Sequence, residues 1–363
     1  MKFSVSKDKL LEGLSTVQNV VSTRTTLPIL SNVLLQASDG EIRLTTTDLD
    51  VGIRGSVEAQ VERTGATTLP ARRLFSIVRE LPSSEIYFDV DTKNSASIRS
   101  GSSYFKILGL PEEEFPALAR FEEAKIFTIA QKDLKDGLKQ TSYAISVDET
   151  RYVLNGILFS FKDNKLTLVA TDGRRLALVD LELEFPRSQE TEIIVPTKAV
   201  TELQRLVREE GEVKLSIGEN QIAFELNRTL LVSKLIEGNY PNYRQVIPVD
   251  AKERISLERE TFLTTVRRVS LVALEKSNSV RLIFSKDNID IVANTPEVGA
   301  AKESLPVMYK GHEFSIAFNP EFLMAPLRNL SEDEIYLDLI DELSPGVIKI
   351  AGPFLYVLMP VRL

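Results

Sequence analysis

The sequence predicts an α+β chain of three similar domains, each with two helices packed on antiparallel sheets. Three observations lead there. The stretch 151–180, RYVLNGILFSFKDNKLTLVATDGRRLALVD, reads as strand, turn, strand, turn, strand, and two related copies stand elsewhere: NVLLQASDGEIRLTTTDLDVGIRG from Asn32 and SVRLIFSKDNIDIVANTPEVGAAK from Ser279. A helix of constant spacing precedes each copy. A second helix followed by an alternating strand comes after each, so the repeating unit is a whole domain of about 124 residues.

The preceding helices are defined by Leu10, Leu14, Val17 and Val21, then Leu134, Leu138, Thr141 and Ile145, then Phe262, Val266, Val269 and Ala273. Steps of four, three and four put each set on one face of a 3.6-residue helix, which must then pack on a sheet. In the central copy the apolar runs Ile157, Leu158, Phe159 and Leu166, Thr167, Leu168, Val169 flank the turn-forming Lys162, Asp163, Asn164 and Lys165. A second reversal at Asp172 and Gly173 leads into Leu176, Ala177, Leu178 and Val179.

The second helices open near Pro70, Pro196 and Pro320, where a missing N–H costs nothing. The strands after them alternate, with Ile86, Phe88 and Val90, Val213, Leu215 and Ile217, and Ile335, Leu337 and Leu339 each on one side. Pro326 lies inside the third of these helices and is expected to kink or shorten it. Connections of one design, LPEEEFPAL around Pro116 and EGNYPNYRQVIP around Pro241, place the domains at 1–123, 124–249 and 250–363.

Composition excludes several classes of chemistry. The 363 residues, 43% of them hydrophobic, can bury sizeable cores, and no cysteine is available for disulfides, thiolate zinc sites or a catalytic thiol. No apolar run is long enough for a signal peptide or a membrane span, so a cytoplasmic protein without membrane contact is expected. The one histidine, His312, sits in the polar turn YKGHE and reads as a solvated loop residue rather than a triad member. Asp48 and Asp50 would suit a magnesium-dependent hydrolase, but equally a polar strand end. No nucleotide-binding or zinc-protease spacing occurs, so no enzyme activity, cofactor or metal is expected.

A formal charge of −8, from 44 basic and 52 acidic residues, argues at first against nucleic acid. The helices are locally basic, however: Arg72, Arg73 and Arg79 in one, Lys132, Lys135 and Lys139 in another, then Lys198, Arg205 and Arg208, and Arg267 with Arg268. Such stripes are ordinary on solvated helices, unless repetition gathers them on one surface.

From MKFSV to YVLMPVRL, the chain resembles the bacterial β sliding clamps, the processivity subunits of DNA polymerase III. TLPILSN, TTTDLD, LPAR, RYVLNGILF, VATDGRRLA, VPTKAV, SKL, YPNYRQVIP and MPVRL carry the resemblance, in this order and with the threefold repeat. It implies a clamp fold closed head to tail by two chains into a ring, with helices lining the hole. The implied partners are encircled duplex DNA without sequence preference, a second copy of the chain, and the replicative polymerase, clamp loader and repair or translesion polymerases, which dock through short linear peptides.

The resemblance places the peptide pocket at Leu154, Thr171, Gly173, Arg174, Arg175, Leu176, Pro241, Val246, Val357, Met359, Pro360, Val361, Arg362 and Leu363. On their own merits Leu154, Leu176 and Val357 read as core. Arg174 stands where many members have histidine and Gln245 where many have arginine, which leaves peptide preference open. The DNA-facing positions are Arg24, Arg72, Arg73, Glu149, Tyr152, Lys198 and Arg205, with Glu149 and Val153 replacing residues that favour DNA contact. At the subunit interface Phe105 and Ile107 would pack against Leu271 and Val272 of the other chain, with Glu297 near the junction and Arg73 as its candidate ion partner. A monomeric protein-binding scaffold is the alternative class, and a mass measurement separates the two.

Overall fold

All three strand repeats are present in the computed structural model, which describes residues 1–21, 27–82, 85–249, 251–273, 279–296 and 298–362. The central one runs Gly156–Lys162, Lys165–Thr171 and Arg175–Glu182. Its first hairpin is a two-residue turn in which Asp163 and Asn164 both have positive φ, 54° and 56°. That conformation matches the strand twist, and aspartate and asparagine tolerate it better than most side chains.

The residues pack as two units, Met1–Lys132 with Lys198–Leu235, and Asp133–Thr197 with Ile236–Leu363. In the first, an eight-stranded antiparallel sheet runs in the order Lys125–Ala130, Glu212–Ile217, Gln221–Leu226, Thr229–Lys234, Val51–Glu58, Glu41–Thr47, Asn32–Ser38 and Gly65–Pro70. Four strands of the second domain thus continue four of the first, across a seam pairing Val51–Glu58 with Thr229–Lys234. In the second unit the order is Thr191–Pro196, Gly156–Lys162, Lys165–Thr171, Arg175–Glu182, Phe354–Leu358, Gly346–Lys349, Glu334–Leu339 and Glu253–Glu258. Its seam pairs Arg175–Glu182 with Phe354–Leu358. A five-stranded sheet in the first unit ends at the edge strand Ser103–Leu108, and a four-stranded sheet in the second ends at Gly299–Pro306.

Six helices pack on these sheets: α1 Lys7–Val17, α2 Ala71–Glu80, α3 Gln131–Thr141, α4 Thr197–Leu206, α5 Arg259–Ser270 and α6 Pro320–Asn329. Leu10, Leu14 and Val17 are buried, as are Leu134, Leu138 and Thr141, and Phe262, Val266 and Val269. The fourth residue of each set, Val21, Ile145 or Ala273, lies just past its helix, so these helices stop a turn earlier than the spacing predicts. The alternating strands point Ile86, Phe88, Val90 and their counterparts in the other two domains inward as expected.

The shortening expected at Pro326 does not occur. Helix α6 spans ten residues, as do α2 and α4, and Pro326 lies buried within it. A proline there cannot donate to the carbonyl four residues back, that of Phe322. The hydroxyl of buried Tyr356 donates to that carbonyl instead, at 2.8 Å. Tyr356→Phe should therefore lower stability by about 1–3 kcal/mol, the cost of an unsatisfied buried acceptor, measurable by denaturant unfolding.

Candidate functional site

The second unit's seam opens on a tightly bonded turn. The Asp172 carboxylate accepts the amides of Arg174 at 2.9 Å and Arg175 at 3.0 Å. The Thr171 hydroxyl donates to the Arg175 carbonyl at 2.6 Å and accepts the Gly173 amide at 3.1 Å. Gly173 sits at φ +83°, and a Cβ there would run into the Arg151 guanidinium. Arg151 itself bridges the Asp148 carboxylate and the Asp172 carbonyl, each at 3.2 Å, and so ties loop 146–154 to this turn. Arg175 pairs with Asp172 at 3.0 Å and stacks over the Phe322 ring at 4.4 Å.

From that turn Leu176 enters the ladder opposite Val357, while the Met359 amide donates to the Arg174 carbonyl at 3.0 Å. Leu176 and Val357 join Leu158, Val169, Ile194 and Tyr243 in one buried apolar cluster, flanked by Val153, Leu178, Ile236, Tyr240, Ile247 and Leu355. Burial pushes the Tyr240 and Tyr243 phenols up, so both stay protonated at neutral pH. The Asp148 carboxyl is held down by the Thr150 hydroxyl, the Thr150 amide and Arg151.

The expected pocket residues divide into a floor and a rim. Leu154, Thr171, Leu176 and Val357 are buried, and Arg175, Met359 and Pro360 are half-buried. Gly173, Arg174, Pro241, Val246, Val361 and Arg362 are exposed, and Leu363 lies outside the described residues. The sequence reading missed Tyr240, Tyr243 and Arg151, although two tyrosines bracketing Pro241 were there to be read as one packing unit. Arg174, Arg244 and Arg362 are exposed, with Arg244 over the Tyr243 ring at 5.5 Å, while Asp148 and Asp172 are paired with Arg151 and Arg175.

The DNA-facing set is less uniform. Arg73, Glu149 and Tyr152 are exposed, Arg72 donates to the Val21 carbonyl at 3.3 Å, and Arg24 lies outside the described residues. Lys198 pairs with Asp48, and Arg205 pairs with Glu202 at 2.8 Å while donating to the Ser15 carbonyl at 3.3 Å. Burial alone would raise the Asp48 carboxyl. The Lys198 hydrogen bond and the Val51 and Asp50 amides outweigh it and hold the group below its usual range. Asp50 pairs instead with Lys234 at 3.0 Å, so these two carboxylates serve a turn and an ion pair. No group of metal-ligating side chains occurs among the described residues, and no helix there is long and apolar enough to cross a membrane.

At the free sheet edges Phe105 is 39% exposed, but Ile107 is only 6% exposed, packed into its own domain. That corrects the expectation of two outward side chains. The exposed apolar residues beside Phe105 are Tyr104 and Leu108, and in the second unit Leu271 and Val298. Val272 is half-buried and its carbonyl accepts the Thr295 hydroxyl at 2.6 Å; Glu297 lies outside the described residues.

Three family models match in succession: the N-terminal domain of the DNA polymerase III beta subunit over residues 1–119, its central domain over 128–242 and its C-terminal domain over 244–362. The chain belongs to that family, the β sliding clamps. The beta sliding clamp of Chlamydia muridarum is 37% identical over 363 residues, covering all of this chain and 99% of its own. That of Escherichia coli K12 is 35% identical with both chains fully covered. Among solved structures, the Bacillus subtilis clamp superposes with a TM-score of 0.96 at 32% identity, over 100% of this chain and 99% of that one. A Bartonella birtlesii clamp bound to griselimycin gives 0.95 at 38% identity, with both chains fully covered. The fold is thus three clamp domains, and the function is that of a processivity clamp for DNA polymerase III.

Proposed function

We propose that two chains close head to tail around duplex DNA, and that the second-unit seam holds linear peptides of the polymerase, the loader and repair polymerases. The observation that carries the closure is the use of one joint twice. In each seam the third strand of a domain's first half pairs with the last strand of the next domain. Repeating that rule leaves one strand of each kind unpaired, Gly299–Pro306 and Ser103–Leu108.

The register follows from the two existing joints, where Val51 faces Ser233 and Arg175 faces Leu358. Hairpin pairs Thr46 with Ile53, Ala170 with Ala177 and Ala293 with Ala301 make Gly299 the counterpart of Val51 and Arg175. Hairpin pairs Ser95 with Leu108 and Gln221 with Lys234 align Ile107 with Ser233. The joint would therefore set Gly299 against Ile107, Ala300 against Lys106 and Ala301 against Phe105. It also brings Leu108 opposite Val298, two exposed apolar side chains that each gain cover.

Topological capture accounts for the charge. A protein held by contact with Z phosphates loses affinity with a salt slope of about −0.9Z. A closed ring needs no such grip, so a net charge of −8 is no obstacle and the phosphate backbone offers no sequence to read. The chain acts in the cytoplasm, without catalysis of its own, and the domains meet near residues 123 and 250.

Since the chain has no cysteine, Lys106→Cys with Ala300→Cys gives a clean test. Facing residues in an antiparallel pair lie about 4.5–5.5 Å apart at Cα, within disulfide reach. Oxidation should yield a covalent dimer of about 81 kDa, twice 40.6 kDa. Oxidised after loading onto nicked circular DNA, the ring should stay bound and slip off after linearisation. Equal retention on both forms would exclude encirclement.

A further inference from the structure

The turn that frames the peptide pocket occurs a second time, in the first unit. The Asp48 carboxylate accepts the Asp50 amide at 3.1 Å and the Val51 amide at 2.8 Å. The Thr47 hydroxyl donates to the Val51 carbonyl at 3.1 Å and accepts the Leu49 amide at 3.0 Å. Leu49, at φ +80°, holds the place of Gly173. The Lys234 amide donates to the Asp50 carbonyl at 2.8 Å, as that of Met359 does to Arg174.

The apolar surroundings recur as well. Ile29, Leu30 and Phe115, with Leu34 and Leu110, form a cluster at positions matching Val153, Leu154, Tyr240, Leu158 and Ile236. Beside it lies a cavity of about 850 Å³ whose lining includes Leu34, Thr45, Phe115, Leu118, Phe121 and Leu230. The first seam thus has the frame of a second peptide site.

One exchange separates the two. Leu176, on the pocket floor, is matched in the first seam by the buried glycine Gly52. A Cβ on Gly52 would overlap the Cδ2 of Leu118, which comes from the interdomain linker just after Pro116. The leucine missing from the sheet is supplied by the linker. In the second seam Tyr243 occupies the linker position of Leu118 and packs beside Leu176 instead of replacing it.

We infer that Leu118 is a built-in occupant of the first seam, and that it confines partner peptides to the second. The inference rests on the peptide reading of the second seam. Its test uses the full-length clamp and a fluorescein-labelled synthetic decapeptide ending in Leu-Phe, with bound peptide counted per chain at saturation. The unmodified clamp should take one.

Leu118→Ser, which empties the socket, should take two. Gly52→Leu refills the floor from the sheet and displaces only the end of a flexible side chain, and it should give the same result. Both should also speed tryptic cleavage after the exposed Arg120 about tenfold, because a freed linker opens locally. One peptide per chain in both variants overturns the inference, as does cleavage at the unmodified rate. Failure of the unmodified clamp to bind any peptide would reject the second-seam reading and the inference with it, while the Arg120 rate would still report whether Leu118 holds the linker.

Discussion

A clamp carrying Phe105→Asp and Leu108→Asp is expected to sediment as a monomer of 40.6 kDa at concentrations where the unmodified protein should form the proposed dimer. Both side chains are exposed in the chain, at 39% and 74%, so folding should survive, with the melting temperature little changed. Burying each apolar side chain contributes about 1.5–3 kcal/mol. Losing two, and placing two carboxylates in a closing interface, should weaken association by at least a thousandfold. Retention on circular DNA should vanish with it. A stable dimer from the double variant, measured by analytical ultracentrifugation, would mean the chains meet elsewhere.

The second large effect concerns the peptide pocket. Leu176→Ala removes a side chain only 2% exposed from the centre of the six-residue cluster. Buried leucine-to-alanine changes cost about 2–5 kcal/mol, depending on how far the site collapses. The floor beneath a docked peptide is lost in the same step, and affinity should fall by about a hundredfold in fluorescence anisotropy. Val246→Asp separates the two contributions. Val246 is 39% exposed, so the charge should weaken peptide binding about tenfold or more and leave the melting temperature alone. If neither change alters affinity, the peptide sits somewhere else.

Much of the architecture was legible because local chemistry repeats with the fold. The polar run Lys162 to Lys165 announced a turn, which the structure narrows to Asp163 and Asn164, and the proline-led helices announced their strands. The reading was incomplete where a partner is remote in sequence. Pro326 is tolerated because Tyr356, thirty residues on, takes the stranded carbonyl. Lys198 and Arg205 look like free cations until Asp48 and the carbonyl of Ser15 are found beside them, 150 and 190 residues away.

Family likeness put Phe105 and Ile107 together at the interface, whereas Ile107 is buried in its own domain and Phe105, two residues before it on the same face, is exposed, a difference alternation alone does not give. In the pocket, family likeness named the floor and the rim together. Burial separates them, and the same geometry adds Tyr243 and Arg151, which lie inside the motifs YPNYRQVIP and RYVLNGILF but were given no role there.

The strand left over in the second unit starts Gly299, Ala300, Ala301. In the proposed joint these small side chains add little apolar cover of their own, so Phe105, Leu108 and Val298 supply most of it while amide bonding sets the register. Freed amides and carbonyls there can turn to water, so opening the proposed joint would cost a few hydrogen bonds and the cover of those few apolar side chains, and would leave each domain's own core closed.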